Sequence, residues 1–374
     1  MKFLLAVAVL GICVGSGFAQ VDTQHRRTLA VQTGASIYQS EEALSAFGFF
    51  WFNEDRFPWT NTALRVIFAG IYADAEISYY VAGNTNTAIG AGAGGGLYVD
   101  SINPYLKGER LARQSFHGDS VGGRVFINQT IPNPTPLPLN LRGSYFVSQS
   151  DYHENSSTDK FRLPPEFATQ TIQAELRFGG MAPGLLSKRG AELYLAADAN
   201  YRSGFERYGP VGGPVLGHQS EYERVFGSLG AKLPVGPLAV SARLAGGYGT
   251  DIDQLSAWKL GGNLVSIEPY AYTMHGYYLR ELFTDRFLLS NLALSVPVND
   301  EHKVAVHFYG DWARARGVLP LLREYHNYFG TGAGVSFRGP WQTDFLVSYG
   351  YGINAVRNGD HGGHEIALGL ERQF

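Results

Sequence analysis

The chain is poor in cysteine and in long apolar runs. Its one cysteine, Cys13, lies in a short apolar segment at the N-terminus of the 374 residues. The sequence beyond that segment therefore has no disulfide bonds and no thiolate chemistry. It also has no apolar run of the roughly 18 residues that a transmembrane helix needs, the longest candidate being residues 43–52. Disulfide-stapled and helical membrane proteins are excluded.

The N-terminus has the pattern of an export signal. A positively charged start is followed by the apolar residues 3–14 and then by the small residues Gly17 and Ala19. This order predicts cleavage before residue 20. Residues 1–19 are therefore interpreted as a signal peptide, and residues 20–374 as one exported domain.

Charge and composition narrow the function classes without choosing a fold. A net charge of −3 argues against a nucleic-acid partner. Glycine, tyrosine and phenylalanine are abundant, and the mean hydropathy is close to zero. A barrel with an apolar outer face and a polar lumen averages to such a value, but so does a soluble β-protein.

Strict alternation of side chains favours the barrel. Successive residues of a strand point to opposite faces, and five stretches beginning near residues 138, 168, 190, 222 and 237 place apolar residues on one face and charged residues on the other. Charges along one whole face suit a watery lumen rather than the core of a sandwich. The cations predicted to face the lumen are Arg142, Arg177, Lys232 and Arg243.

The lengths of the linkers between strands indicate that the two rims of the barrel differ. Sixteen strand-like stretches can be counted, with tight linkers after even-numbered ones and long linkers after several odd-numbered ones. Short turns on one rim and long loops on the other are typical of outer-membrane barrels. We therefore predict an all-β protein, a membrane-spanning antiparallel β-barrel of about 16 strands. The long linkers are residues 100–119, 149–166, 203–221 and 249–286.

The C-terminal strand resembles the last strand of bacterial outer-membrane barrels. Ile366, Leu368 and Leu370 share one face, and the chain ends on the aromatic Phe374. Such barrels are delivered and inserted through this strand, so the resemblance implies the outer-membrane assembly machinery and outer-membrane lipids, including lipopolysaccharide, as partners. Arg372 departs from the usual apolar pattern. The residues that carry the interpretation are Gly369, Leu370 and Phe374.

The longest linker carries a family resemblance. Ala-Trp-Lys-Leu-Gly-Gly at residues 257–262 is followed by Met-His-Gly-Tyr at residues 274–277, and then by a strand ending in Val-Pro-Val at residues 296–298. This order resembles the barrel domain of the BamA/TamA superfamily, also called bacterial surface antigens. The resemblance implies that the loop folds into the lumen and that its motif contacts an acidic residue on the inner wall. The implied loop residues are Gly261, Gly262, His275, Gly276 and Tyr277, and the implied wall residue is Asp311.

His275 stands where that family has an arginine. An arginine makes a permanent forked bond to a carboxylate, whereas a histidine is mostly neutral at pH 7 and makes one good bond. The anchor is therefore weaker or built differently, with Arg280 or Lys259 as possible substitutes. The other interpretation is an ordinary glycine turn in an external loop.

The resemblance implies a role in protein or lipid handling at the membrane, or as a gated pore. Members with that role normally carry soluble POTRA domains, and the few residues between the signal and the first strand leave room for none. The alternatives are a porin-like diffusion channel for small polar solutes and a non-catalytic scaffold for a partner protein.

We expect no enzyme, metal or cofactor site. His361 and His364 lack supporting carboxylate spacing, and Asp151 and His153 have no Gly-x-Ser-x-Gly motif nearby. The glycine-rich residues 90–96 are followed by no helix and therefore cannot form a phosphate loop.

Overall fold

The computed structural model describes most of the chain after the predicted signal peptide. The predicted signal, residues 1–19, lies outside the described residues. Among the described residues, no helix is long and apolar enough to cross a membrane. The described ranges are 26–36, 45–81, 86–98, 100–135, 137–154, 160–180, 190–263, 271–298, 303–319 and 322–374.

Sixteen long strands form one closed antiparallel barrel, as the sequence predicts. Each strand pairs with its neighbours in the chain, and the first pairs with the last from Thr28 opposite Gln373 to Ser36 opposite Glu365. The strands are β1 (Arg26–Ser36), β2 (Ser45–Asp55), β3 (Thr62–Phe68), β4 (Tyr72–Tyr80), β5 (Thr87–Gly96), β6 (Phe116–Ile131), β7 (Leu139–Glu154), β8 (Phe167–Gly180), β9 (Gly190–Ser203), β10 (Glu221–Val235), β11 (Leu238–Thr250), β12 (Leu282–Pro297), β13 (Val304–Gly317), β14 (Tyr325–Arg338), β15 (Thr343–Arg357) and β16 (Asp360–Gln373).

The register along the strands is also the predicted one. Ile172, Leu195 and Val225 are exposed on the outside, whereas Asp198 and Arg224 are buried on the inside. An apolar outer band is what a bilayer requires of a barrel wall, because lipid cannot solvate charges. The polar set of each strand therefore faces the lumen.

The two rims differ in the length of their connections. We call the rim with the connections after even-numbered strands the short-turn rim, because it includes tight turns at residues 236–237 and 339–342. The opposite rim, the long-loop rim, carries residues 97–115, 204–220 and 251–281. Its connections between β3 and β4 and between β15 and β16 are short.

The long loops pack together over the long-loop rim as a loop cap with its own apolar core. Phe116 lies 5.7 Å from Phe161 and 5.5 Å from Tyr152 between ring centroids. Aromatic pairs at such distances add about 0.5–1.5 kcal/mol beyond the burial of area. The cap core consists of Ile102, Phe116, Tyr152, Phe161, Phe167, Tyr208, Ala257, Phe283 and Val318.

The lumen wall from β3 to β8 is neutralised by ion pairs between strands. The Glu76 carboxylate on β4 accepts hydrogen bonds from Arg65, Arg124 and Arg142 at 2.9–3.2 Å. The side chain of Arg124 crosses β5 at Gly92, where a Cβ atom would lie 3.0 Å from its guanidinium. The glycine-rich β5 thus leaves a flat surface over which β4 and β6 exchange charges.

Candidate functional site

The candidate site is the inner loop, residues 251–281, together with the wall it covers. Its first half forms a short strand, Trp258–Leu260, that pairs with the start of β12 and runs parallel to Ala271–Tyr272. This pairing directs the chain toward the lumen, where its apolar residues pack against the wall. Residues 264–270, between the two halves, lie outside the described residues.

Apolar contacts fix the inner loop against the wall. Trp258, Leu260, Met274 and Tyr277 are fully buried. Burial of such side chains contributes about 1.5–3 kcal/mol each. The wall meets them mainly with small side chains, which leave room inside the barrel: Ala245, Ala313, Ala315 and Ala355.

His275 lies directly beside Asp311 of β13. Its Nδ1 is 2.7 Å from Asp311 Oδ2, and its backbone N–H donates to the same oxygen over 2.7 Å. The Asn291 amide donates to the other carboxylate oxygen over 2.8 Å, and the imidazole stacks on Tyr309 with centroids 4.4 Å apart. Both oxygens of the buried carboxylate are therefore engaged, Oδ2 by the loop and Oδ1 by β12.

Gly276 touches the wall through its backbone. Its φ of +78° suits glycine, and a Cβ atom there would lie 1.8 Å from the backbone nitrogen of Gly352. The wall is equally bare, because a Cβ atom on Gly330 or Gly363 would lie 2.5 or 2.2 Å from a loop carbonyl oxygen. We call Gly330, Gly332, Gly350, Gly352 and Gly363 the glycine patch. Only glycine on both sides permits this approach.

Tyr277 binds an irregularity in β15. Its hydroxyl lies 2.8 Å from Asn354 Oδ1 and 3.3 Å from the carbonyl oxygen of Phe329. The register of β15 against β16 shifts between Gly352 and Val356, as in a β-bulge. Bulges re-aim side chains, and here Asn354 lies inside that shift, in contact with the tyrosine.

Gly261 and Gly262 form the turn that carries the chain toward the motif. Their φ values are +130° and +91°. Gly261 N–H donates to Tyr272 O over 2.9 Å, and Gly262 N–H donates to Tyr277 O over 3.0 Å. The two glycines thus join both halves of the inner loop.

A second anchor was missed by sequence reasoning. The Arg357 guanidinium at the end of β15 donates to both carboxylate oxygens of Glu281 over 2.8 Å, and it lies 3.6 Å from the ring centroid of Tyr278. It also donates to the carbonyl oxygen of Gly276 over 3.4 Å. A forked arginine bond to a carboxylate thus exists here, but with the arginine on the wall. The two residues are 76 positions apart, and no spacing signals such a pair.

The start of the inner loop is held by two more arginines. Arg202 of β9 donates to both oxygens of Asp253 over 2.6 and 3.1 Å. Arg224 of β10 donates to the carbonyl oxygen of Ser256 over 3.2 Å. The loop is therefore fixed at its first turn, its tip and its last turn.

Lys259 does not take the place of the family's arginine. Desolvation, together with the neighbouring Arg280 guanidinium, lowers the pKa of Lys259 to about 7. A lysine that loses its charge near neutral pH is a poor permanent partner for a carboxylate. Arg280 stands one residue before Glu281, in a backbone conformation with φ of +60°.

Two of the four predicted lumen cations lie beside carboxylates of the described residues, and the other two do not. Arg142 binds Glu76, and Arg177 lies 3.5 Å from Glu192. Lys232 and Arg243, on adjacent strands, form no ion pair among the described residues. On β16, Gly369 and Leu370 pair with β1, and the backbone of Phe374 donates to Arg27 O over 2.8 Å.

Comparison with solved structures finds outer-membrane barrels. CdiB from Acinetobacter baumannii (TM-score 0.59, 11% identity), CdiB from Escherichia coli (0.59, 13%) and BamA from Haemophilus ducreyi lacking POTRA domains 1–3 (0.58, 12%) each match 92–93% of this chain. The chain spans 60%, 62% and 70% of those structures, respectively. No protein-family profile and no curated protein sequence matches. The chain therefore shares the fold of BamA- and CdiB-type outer-membrane barrels.

Proposed function

We propose that the chain is a bacterial outer-membrane barrel similar to BamA/TamA-type assembly and translocation proteins, in which the inner loop acts as a releasable plug. The observation that carries this proposal is the inner loop, anchored in the lumen by His275, Gly276 and Tyr277 against Asp311 and the glycine patch. Export through the N-terminal signal, insertion by the assembly machinery, and contact with outer-membrane lipids including lipopolysaccharide belong to the same proposal.

The plug favours regulated passage over free diffusion. The loop cap lies over the long-loop rim, and Trp258, Leu260 and Met274 fill the lumen with apolar volume. A small polar solute would have to displace both. The loop is nevertheless a separate folded segment, and its displacement would cost the short pairing of Trp258–Leu260 with β12 but no pairing between two of the sixteen barrel strands.

Conductance tests the plug. The wild-type barrel in planar bilayers is expected to show small, flickering currents, and deletion of residues 263–279 is expected to give large, steady ones. Unchanged currents after the deletion would place the block elsewhere. Large, steady wild-type currents would favour the porin-like alternative.

An insertion assay tests the handling of proteins. Vesicles that contain the barrel should speed the folding of a small unfolded outer-membrane protein, followed as its heat-modifiable shift on gels. The Gly276→Ala variant should change that rate, because the plug is displaced. Equal folding in empty vesicles would leave a passive channel or a scaffold for a partner protein as the function.

A further inference from the structure

Two inward-facing cations, Lys232 and Arg243, are not neutralised by any carboxylate of the described residues. Lys232 on β10 and Arg243 on β11 form no hydrogen bond and no ion pair with any side chain of the described residues. They differ in this from the inward-facing arginines of the neighbouring wall. Arg142, Arg177, Arg202 and Arg224 all lie within 4 Å of a carboxylate.

The two cations share one place. Lys232 pairs with Ser241, and Arg243 follows two residues later on the same face of β11. Such diagonal neighbours are about 7–8 Å apart, so two long side chains can contact one small anion from both sides. The cross-strand partner of Arg243 on β10 is Gly230, which has no side chain to cover the guanidinium. Its partner on β12 is Asn291, whose amide is engaged with Asp311.

The inner loop positions one of the cations. The Arg243 guanidinium lies 5.1 Å from the ring centroid of Tyr272, on the second half of the inner loop. Lys232 lies closer to the short-turn rim, four residues before the turn at residues 236–237. The cations thus lie on the side of the loop that faces that rim.

The nearby carboxylates are already engaged. Glu192 of β9, which pairs with Gly230, lies 3.5 Å from Arg177. Glu175 of β8 accepts from the Tyr194 hydroxyl and lies 3.7 Å from Arg142. Within the part of the chain that the structure describes, two positive charges therefore remain uncompensated, with the Ser241 hydroxyl on the same face.

We propose that Lys232 and Arg243 form a binding site for small phosphate- or carboxylate-bearing dianions, reached through the short-turn rim and roofed by Tyr272. The Arg243 guanidinium offers the planar, forked donor set that fits a phosphate or a carboxylate, and the Lys232 ammonium adds a point charge. Arg142 and Arg177 are no part of the site, because carboxylates already neutralise them. The site does not depend on the role in assembly or translocation proposed above.

Titration calorimetry of the full-length barrel in an uncharged detergent at low ionic strength tests this site. Pyrophosphate serves as the phosphate probe and citrate as the carboxylate probe. Both should bind. Lys232→Gln and Arg243→Gln should each weaken binding about tenfold, the change expected from losing one charge-assisted hydrogen bond, and the double variant should abolish it. Arg243→Lys should retain part of the affinity.

The matched control removes the same charge from the outside of the barrel. Arg314→Gln on β13 is suitable because Arg314 is exposed and lies against Tyr325, and it should bind both probes as the wild type does. Absence of wild-type binding at millimolar concentrations would overturn the site. So would full binding by the double variant, or an equal loss in Arg314→Gln.

Discussion

Two parts of the inner wall differ in where their polar side chains find partners. From β3 to β8, charged side chains neutralise one another across neighbouring strands, with Glu76 at the centre of three arginines. From β10 to β16, the wall is covered by the inner loop, and its polar groups bind loop atoms. In the first part, the charged side chains find their partners within the barrel wall. In the second part, several polar groups find theirs only when the inner loop is docked.

This difference shows which part of the molecule is able to change its conformation. Breaking the charge network would leave buried arginines without partners, so that side is a fixed support. Releasing the inner loop exposes glycine backbone, small side chains and polar groups that water can solvate. Any movement linked to function is therefore expected on the β10–β16 side.

The largest effect should come from the loop tip. Gly276→Ala combines a positive φ with a Cβ atom 1.8 Å from a wall nitrogen, which should destabilise the docked loop by about 2–6 kcal/mol as the sum of strain and overpacking. Limited proteolysis should cut the inner loop while the barrel remains heat-modifiable. Gly212→Ala is the control, since Gly212 has a φ of +76° but nothing within 4 Å. Equal protease resistance in both variants would contradict a tight fit at the tip.

The charge network should give the next largest effect. Glu76→Gln leaves Arg65, Arg124 and Arg142 short of a partner and should lower the free energy of unfolding by about 3–5 kcal/mol. Urea titration in lipid vesicles measures it. Glu206→Gln, at an exposed ion pair with Arg162, should change it by less than about 0.5 kcal/mol. Inner-loop proteolysis should stay as in the wild type, and faster cleavage would show that the two wall regions are coupled.

The outer face is common to both regions and gives an intermediate effect. Leu195→Arg on the exposed side of β9 should cost about 2–4 kcal/mol if that side contacts lipid. Leu195→Met keeps the apolar surface and should cost less than about 1.5 kcal/mol. Urea titration in vesicles compares them, and equal midpoints would mean that Leu195 does not face the bilayer.

The smallest effect should come from the bond between His275 and Asp311, whose Nδ1 and Oδ2 lie 2.7 Å apart. Asp311→Asn removes the carboxylate from this bond, which is worth about 1.5–3 kcal/mol, so protease should cut the inner loop faster than in the wild type. His275→Arg should keep the loop protected, because an arginine also donates to the carboxylate. A loop cut at the wild-type rate in Asp311→Asn would argue against an ionic anchor.

Much of the barrel could be predicted because its signals are local. Alternation such as that of Leu193, Glu192 and Leu195 fixes which side faces outward, since a strand has a period of two. The motif at residues 274–277 was found by resemblance, and the structure places its histidine beside Asp311. The Arg357–Glu281 anchor and the Glu76 network were not found, because each joins residues far apart in sequence whose spacing carries no pattern.

The glycines show the same limit. Glycine-rich stretches at residues 90–96 and 330–334 are visible in the sequence, but what they accommodate is not. In β5 the glycines let an arginine cross the strand, and in β14 they let a backbone approach. A glycine in the sequence shows that a side chain is absent, but not which group occupies the space.

The sequence by itself determined the strand count, the two faces of the wall and the asymmetry of the rims. These follow from alternation and linker length, which each segment carries alone. Only the tertiary structure decided which charges are neutralised, since Arg142 and Arg243 look alike in the chain. Closing sixteen strands into a barrel brings carboxylates to Arg142 and, among the described residues, none to Arg243. Partners across a lumen are set by register and loop path rather than by neighbours in sequence.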